Sequence, residues 1–356
     1  MNDNAGRPAS ALRTGLHLGR WLLRILLSLL LLLAICWAAL ALWIDGPESR
    51  IVAGVLAGSL LIGTVVSAVL VRPFRRAAAC VAVLFTLVLA WWLALTPSND
   101  RNWQPDVARL PTATLDGSLL TIHNIRSFNY RDVDEYDERW ITATYDLNEL
   151  VGYDIFFSFW GPTAYGHTIS SWEFADGRHL AISIETRKEV GESYSALRGF
   201  FRQFELYYVV AEETDVIKLR TNYRGERVEL YRIYTPDNGA EKMLLNYVSD
   251  MNELATKPKW YNALTHNCTT TIWRHAKAVG SSFPLDWRLL ANGYVLQLAY
   301  QLGTVNTSMS LEALQRASDI TAKARQAGDD DDFSRQIRIG LPARPTQLPE
   351  WRRAES

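Results

Sequence analysis

One thiol stands apart in this sequence. Of its three cysteines, Cys36 and Cys80 lie inside long apolar runs, which leaves Cys268 alone among mixed and polar segments. Cys268 sits in Thr265-His266-Asn267-Cys268-Thr269-Thr270-Thr271, where cap-forming residues give way to the helical pattern Ile272–Val279. A cysteine at a helix N-terminus feels the positive end of the helix dipole, which favours thiolate over thiol and makes a better nucleophile. A buried cysteine acting as a small hydrophobe is the common alternative. The polar, cap-rich setting of Cys268 points instead to chemistry.

A cysteine nucleophile needs a base, and five histidines follow the apolar N-terminal region. His123 lies in an early strand pattern without a visible partner and reads as structural or surface. His275 shares a helix face with Cys268 but lies about 10 Å further along the axis, at ~1.5 Å per residue. That separation excludes a direct proton relay and excludes one zinc ion shared by His266, Cys268 and His275. His266 would have to fold back to reach the thiol, so it is expected to shape the turn. His167 and His179 remain, on the two strands of a hairpin, where papain-like folds place a histidine opposite a cysteine helix. The sequence has no G-x-S-x-G elbow, phosphate loop, dinucleotide fingerprint or H-E-x-x-H pair. No metal and no cofactor is expected.

The elements that must position these residues change character along the chain. Leu119–Ile125, Ile141–Tyr145, Tyr153–Trp160, His167–Phe174, His179–Glu185, Glu205–Val210, Val216–Thr221 and Val228–Tyr234 are short runs rich in β-branched and aromatic residues, as strands are. Asp176-Gly177 predicts a hairpin turn. After Pro236 the periodicity becomes helical. Asp237 or Asn238 would cap a helix that carries Met243, Leu244, Tyr247, Val248, Met251 and Leu254 on one face and ends before Pro258. Further helices are predicted from Asn267 or Cys268 to Gly280, over Leu285–Gln301 and over Leu311–Ala327. Strands followed by helices define an α+β domain of roughly 240 residues, enough for one sizeable core. Asp329–Asp332 reads as a solvated loop capping a short helix rather than a cation site.

The first quarter of the chain is different. Ile25–Ile44, Ile51–Val71 and Ala77–Leu95 are uncharged apolar runs, each near the roughly 20 residues needed to span a bilayer as a helix. The first is too long for a cleaved signal peptide. Arg7, Arg13, Arg20 and Arg24 precede the first run, and Arg72, Arg75 and Arg76 separate the second from the third. Positive-inside counting puts both basic segments in the cytoplasm and everything after about residue 96 outside. Trp91 and Trp92 suit an interfacial belt. Gly54 and Gly58 form a GxxxG pair suited to packing within the three-helix anchor or, alternatively, to homodimerisation. The expected organisation is a cytoplasmic arm 1–24, an anchor 25–95, a proline-containing linker 96–111, an exported domain 112–345 and a tail 346–356. With 37 basic and 38 acidic residues there is no basic excess for binding nucleic acid.

Several motifs together resemble a known family. They are His167-Thr168-Ile169-Ser170-Ser171-Trp172-Glu173-Phe174-Ala175-Asp176-Gly177, Ile182-Ser183-Ile184-Glu185-Thr186-Arg187 and Tyr261-Asn262-Ala263-Leu264-Thr265-His266-Asn267-Cys268-Thr269-Thr270, with the upstream stretch Asn124–Arg131. They are similar to the Lnb N-terminal periplasmic domain family across most of Leu119–Gly340. The resemblance implies a circularly permuted papain-like fold of the NlpC type, related to lecithin–retinol acyltransferase, following the three N-terminal transmembrane helices. It implies Cys268 as nucleophile, His167 as base and His179 as a second histidine filling the third polar position. Glu185 and Arg187 match the motif without an implied role. The family takes its name from lipoprotein N-acyltransferases, so a phospholipid acyl donor and a lipoprotein acceptor are implied, at a bacterial inner membrane with the catalytic domain on the periplasmic side. Lnb proteins carry membrane spans after this domain, whereas here the spans precede it, so a shared substrate does not follow from the shared domain. An NlpC-like cysteine peptidase or amidase acting on cell-wall peptides is the alternative within enzymes. A non-catalytic, membrane-anchored binding module is the alternative outside them. A polar groove beside Cys268 would favour the peptidase, an apolar one acyl transfer.

Overall fold

The structure, a computed structural model, describes residues 7–161, 164–236, 238–280, 283–328, 330 and 332–350. The chain divides into two compact units, one of Met1–Thr96 with Phe201–Gln203 and one of Pro97–Phe200 with Phe204–Ser356.

The first unit is built on three helices, α1 (Arg7–Ile44), α2 (Arg50–Leu70) and α3 (Phe74–Ala94). His17–Ile44, Arg50–Leu70 and Phe74–Ala94 are long and apolar enough to cross a membrane. Leu23, Leu33, Ile51 and Leu70 point outward, and apolar surface of that extent needs a lipid-like environment. Small buried residues, Ala38, Ala41, Ala53 and Ala77, let the helices approach one another. Of the GxxxG pair, Gly54 meets the Trp43 ring while Gly58 has nothing within 4 Å of a would-be Cβ. α1 extends back from the first apolar run to Arg7.

The second unit is a mixed sheet with helices on both faces. Its strands are β1 (Thr112–Asp116), β2 (Leu119–Arg126), β3 (Asn129–Tyr130), β4 (Tyr136–Asp137), β5 (Trp140–Asp146), β6 (Leu150–Phe159), β7 (His167–Phe174), β8 (His179–Arg187), β9 (Glu205–Ala211) and β10 (Arg227–Ile233). The main sheet runs β1-β2-β9-β8-β7-β6-β10, with β5 also on β2 and the β3–β4 pair apart. Pairing is antiparallel except between β2 and β9. Side chains alternate across a strand, and β9 shows the result. Leu206, Tyr208 and Val210 join a core with Met243, Leu244, Tyr247 and Ile272. Tyr207, Val209 and Ala211 join the opposite core with Val216, Ile217, Ile320 and Phe333. Burial on both faces removes the polar alternation that a half-exposed strand would show.

Helices α5 (Gly239–Thr256) and α6 (Cys268–Ala278) cover the first face, and α4 (Glu213–Lys218), α9 (Thr321–Ala327) and α10 (Phe333–Gln336) the second, while α7 (Val295–Gln301) and α8 (Leu311–Ser318) pack near β6 and β10. The hairpin turn forms at Gly177 with φ +86°, a conformation that suits glycine. Of the proposed α5 caps, Asp237 lies outside the described residues and Asn238 caps without a side-chain bond. Asp329 and Asp331 also lie outside the described residues.

Several expectations need correction. Val216–Thr221 is not a strand: α4 continues into a π-helical turn, Leu219–Tyr223. Short apolar runs do not distinguish a strand from a buried helix, but Glu213 and Asp215 in the first turn favour the helix. Leu285–Gln301 is two 3₁₀ turns (Trp287–Leu289 and Asn292–Tyr294) followed by α7. Leu311–Ala327 breaks into α8 and α9 because Ile320 N–H bonds Val228 O and Asp319 caps Thr321. The proline-containing stretch before β1 does not hang free. Arg187 holds it by donating to Val107 O and Ala108 O and stacking 4.2 Å from the Trp103 ring, which gives that motif residue a structural role.

Candidate active site

Cys268 is the first residue of α6, and the sequence around it makes a rigid helix start. Asn267 accepts from Thr270 N–H at 2.8 Å, while Thr270 Oγ1 accepts from Asn267 N–H at 3.1 Å. This reciprocal capping box fixes the first turn and holds the thiol at the positive end of an 11-residue helix. The thiol is buried, with 8% of the residue exposed.

His167 opens β7, and Thr168 follows it onto the other face of the strand. Cys268 lies close to the His167 imidazole and the Thr168 backbone N–H, and both favour its thiolate form. Nε2 of His167 lies 2.6 Å from Ser183 Oγ and 3.2 Å from Glu185 Oε1. Ser183 and Glu185 are two apart on β8, so they share a face. Glu185 Oε1 also accepts from Ser183 Oγ at 2.8 Å and from Arg220 Nη2 at 2.8 Å. Arg220 comes from the π-helical turn after α4, a local irregularity of a kind often found at functional sites, and is itself buried.

The electrostatics follow from these contacts. Burial pushes the Cys268 thiol up, but the adjacent His167 and hydrogen bonds from His167, Thr168 and Thr269 outweigh it and bring the thiol down to about 7. Burial likewise depresses His167, yet Glu185, opposed in part by Arg220 and aided by Cys268, lifts it to about 9. Glu185 is pushed up by burial and driven well below the usual carboxylate range by His167 and Arg220. A thiol lowered and an imidazole raised near neutrality favour a thiolate–imidazolium pair, the form in which a cysteine attacks a carbonyl.

His179 does not join this group. It sits at the hairpin turn, with Nδ1 3.1 Å from Gly177 O. At ~3.4 Å per residue, roughly 20 Å of β8 separates it from Glu185. The third polar position belongs to Glu185, whose signal was its two-residue spacing from Ser183 and its place opposite the start of β7. His275 lies two turns further along the same face of α6, stacked 4.1 Å from Tyr247 with Nε2 3.2 Å from Tyr208 Oη; burial keeps it neutral, at about 4. His266 bonds Thr265 in the turn before α6, and His123 bonds Thr142 across β2 and β5. Among the described residues no cluster of histidine, cysteine and carboxylate side chains could hold a metal ion.

Near the start of α6 is a cavity of about 260 Å³, whose wall includes neither Cys268 nor His167. Thr168 and Thr269, the chain neighbours of His167 and Cys268, form part of its wall. Ile155, Phe157, Ile272, Val295, Leu296 and Ala299 supply much of the rest, so the lining is apolar.

The fold and site define an α+β domain with a thiol, an imidazole and a carboxylate aligned at one end of its sheet. Residues 136–293, which include Cys268, His167 and Glu185, match the family model of the Lnb N-terminal periplasmic domain. No curated protein and no solved structure matches the chain.

Proposed function

We propose that this protein is a membrane-anchored thiol acyltransferase, with Cys268 as nucleophile, His167 as its acid–base partner and Glu185 orienting the imidazole. The observation that carries the reading is the apolar cavity walled in part by Thr168 and Thr269. A peptide substrate of an amidase would call for polar groups there, whereas a hydrocarbon chain is matched by aliphatic and aromatic walls.

In this mechanism the Cys268 thiolate attacks the ester carbonyl of a phospholipid. The His167 imidazolium protonates the departing alcohol, which leaves as a lysophospholipid, and the acyl group remains as a Cys268 thioester. An amine then attacks the thioester carbon, the now neutral His167 takes its proton, and the thiolate leaves to restore the starting state. The acceptor proposed is the N-terminal amine of a lipoprotein. Three apolar helices followed by a periplasmic-type domain support a location at the bacterial inner membrane, where anchoring confines the domain near lipid substrates and raises their effective concentration. The order of the elements, histidine strand before cysteine helix, supports a permuted papain-like fold of the NlpC type.

Mass spectrometry of lipoprotein N-termini tests the reading in cells that rely on this protein alone. Triacylated termini that become diacylated with Cys268→Ala are expected. Unchanged termini with uncleaved cell-wall peptides would favour the amidase, and no change in either pool a non-catalytic binding module.

A further inference from the structure

Three chain segments meet at the thiol, and one side chain bonds to two of them while opening the third. Asn292, buried, begins the 3₁₀ turn Asn292–Tyr294 that leads into α7. Its Oδ1 accepts from Gly166 N–H at 2.8 Å, and its Nδ2 donates to Gly166 O, so one amide pairs both backbone groups of the residue before His167. The same Nδ2 donates to Thr269 Oγ1 at 3.1 Å and lies 3.9 Å from Cys268 Sγ. Gly166 is itself pressed against β6: a Cβ there would stand 2.9 Å from Ser158 O and 3.0 Å from the Phe159 ring. The segment entering β7 therefore has little freedom except along the direction the amide controls.

The Thr269 hydroxyl completes the link. With Asn292 donating to its oxygen, its hydrogen is left to point elsewhere, and the partners it can reach are Thr168 Oγ1 at 3.3 Å, which can itself donate instead, and Cys268 Sγ at 3.7 Å. A hydroxyl has one hydrogen to give, so fixing its acceptor side biases where that hydrogen goes.

We propose that Asn292 is a positioning residue of this site: its amide clamps the strand bearing His167 to the helix bearing Cys268 and sets the Thr269 hydroxyl to donate to the sulfur. The inference rests on the thiolate reading of Cys268. An aspartate at 292 would keep the shape but lose both donated bonds, and an alanine would lose the whole clamp without adding charge.

The test is the pH profile of Cys268 alkylation by iodoacetamide in the full-length protein in detergent, with the labelled site read by peptide mass spectrometry and folding followed by thermal melting. The parent is expected to label with a midpoint near 7. Asn292→Asp and Asn292→Ala are expected to move that midpoint up by about one unit, so that labelling at pH 7 falls about fivefold and recovers at high pH. Thr269→Val keeps the bonds to Gly166 and should move the midpoint in the same direction, so it decides the matter if Asn292→Ala does not fold. A lower melting temperature with an unmoved midpoint in these variants would overturn the positioning role and leave the thiolate reading intact. A parent midpoint near that of a free cysteine would overturn both.

Discussion

Glu185 Oε1 stands 3.2 Å from His167 Nε2, on the side of the imidazole that also meets Ser183. The carboxylate is held there by the Arg220 guanidinium as well as by Ser183. This places the charge that sustains an imidazolium behind the ring and leaves the thiol in front of it.

Glu185→Gln should therefore act at a distance on the cysteine. Without the carboxylate the imidazole loses its main support for a proton, and the thiolate loses its cationic neighbour. The alkylation rate of Cys268 at pH 7 should fall by about fivefold, as a rise of about one pKa unit from 7 gives. Labelling unchanged from the parent would remove Glu185 from the site.

The pH dependence has two limbs of opposite sign. Cys268 is brought down to about 7, so the thiolate is lost as pH falls through that value. His167 is lifted to about 9, so the imidazolium that protonates the leaving group is lost as pH rises through it. Acyl transfer should be bell-shaped with its plateau between these values, whereas alkylation, which needs no acid, should show only the rising limb. A single rising limb for transfer would exclude His167 as the acid.

His179 and His275 separate by role. His179→Ala should leave labelling unchanged, because the ring belongs to the hairpin turn. His275→Ala should also leave labelling nearly unchanged but cost about 2 kcal/mol of stability, since it removes a ring stacked on Tyr247 and the partner of Tyr208 Oη. Chemical denaturation checks the second effect. Loss of labelling in either variant would contradict the assignment of His167 as partner.

The cavity can be filled without touching the thiol. Ala299 lies in its wall on α7, and Ala299→Phe puts a ring into space rather than into packed core. Iodoacetamide labelling should persist, while acyl transfer from long-chain donors should fall roughly tenfold, about 1.4 kcal/mol of transition-state binding, and short-chain donors should be spared. Equal loss for both chain lengths would argue against the cavity as a chain-binding site.

Much of this site was legible because it is local. The cap residues around Cys268 announce a helix start, and Asp176-Gly177 announces the turn that places β7 beside β8. The apolar runs before residue 96 are equally direct, since few structures other than a membrane span want so uniform a stretch. What sequence order hides is the long-range pairing. Glu185 becomes the third polar residue because its pleat and register put it behind His167, and His179, the more familiar residue type, falls at the wrong end of the same strand. Asn292 has no motif around it and acts through the backbone of Gly166. The misread Val216–Thr221 shows the same limit at the level of elements: β-branched residues bury as well on a helix when both faces of a sheet are covered.

The most direct test of the account is mass spectrometry of Cys268 itself, in purified protein incubated with phospholipid and no acceptor amine. The account predicts an acyl chain on the Cys268 peptide that hydroxylamine removes, as a thioester, together with release of lysophospholipid. The adduct should be absent in Cys268→Ala and strongly reduced in His167→Ala. A Cys268 peptide that stays unmodified while the same protein labels rapidly with iodoacetamide would contradict acyl transfer and leave a reactive thiol with another substrate.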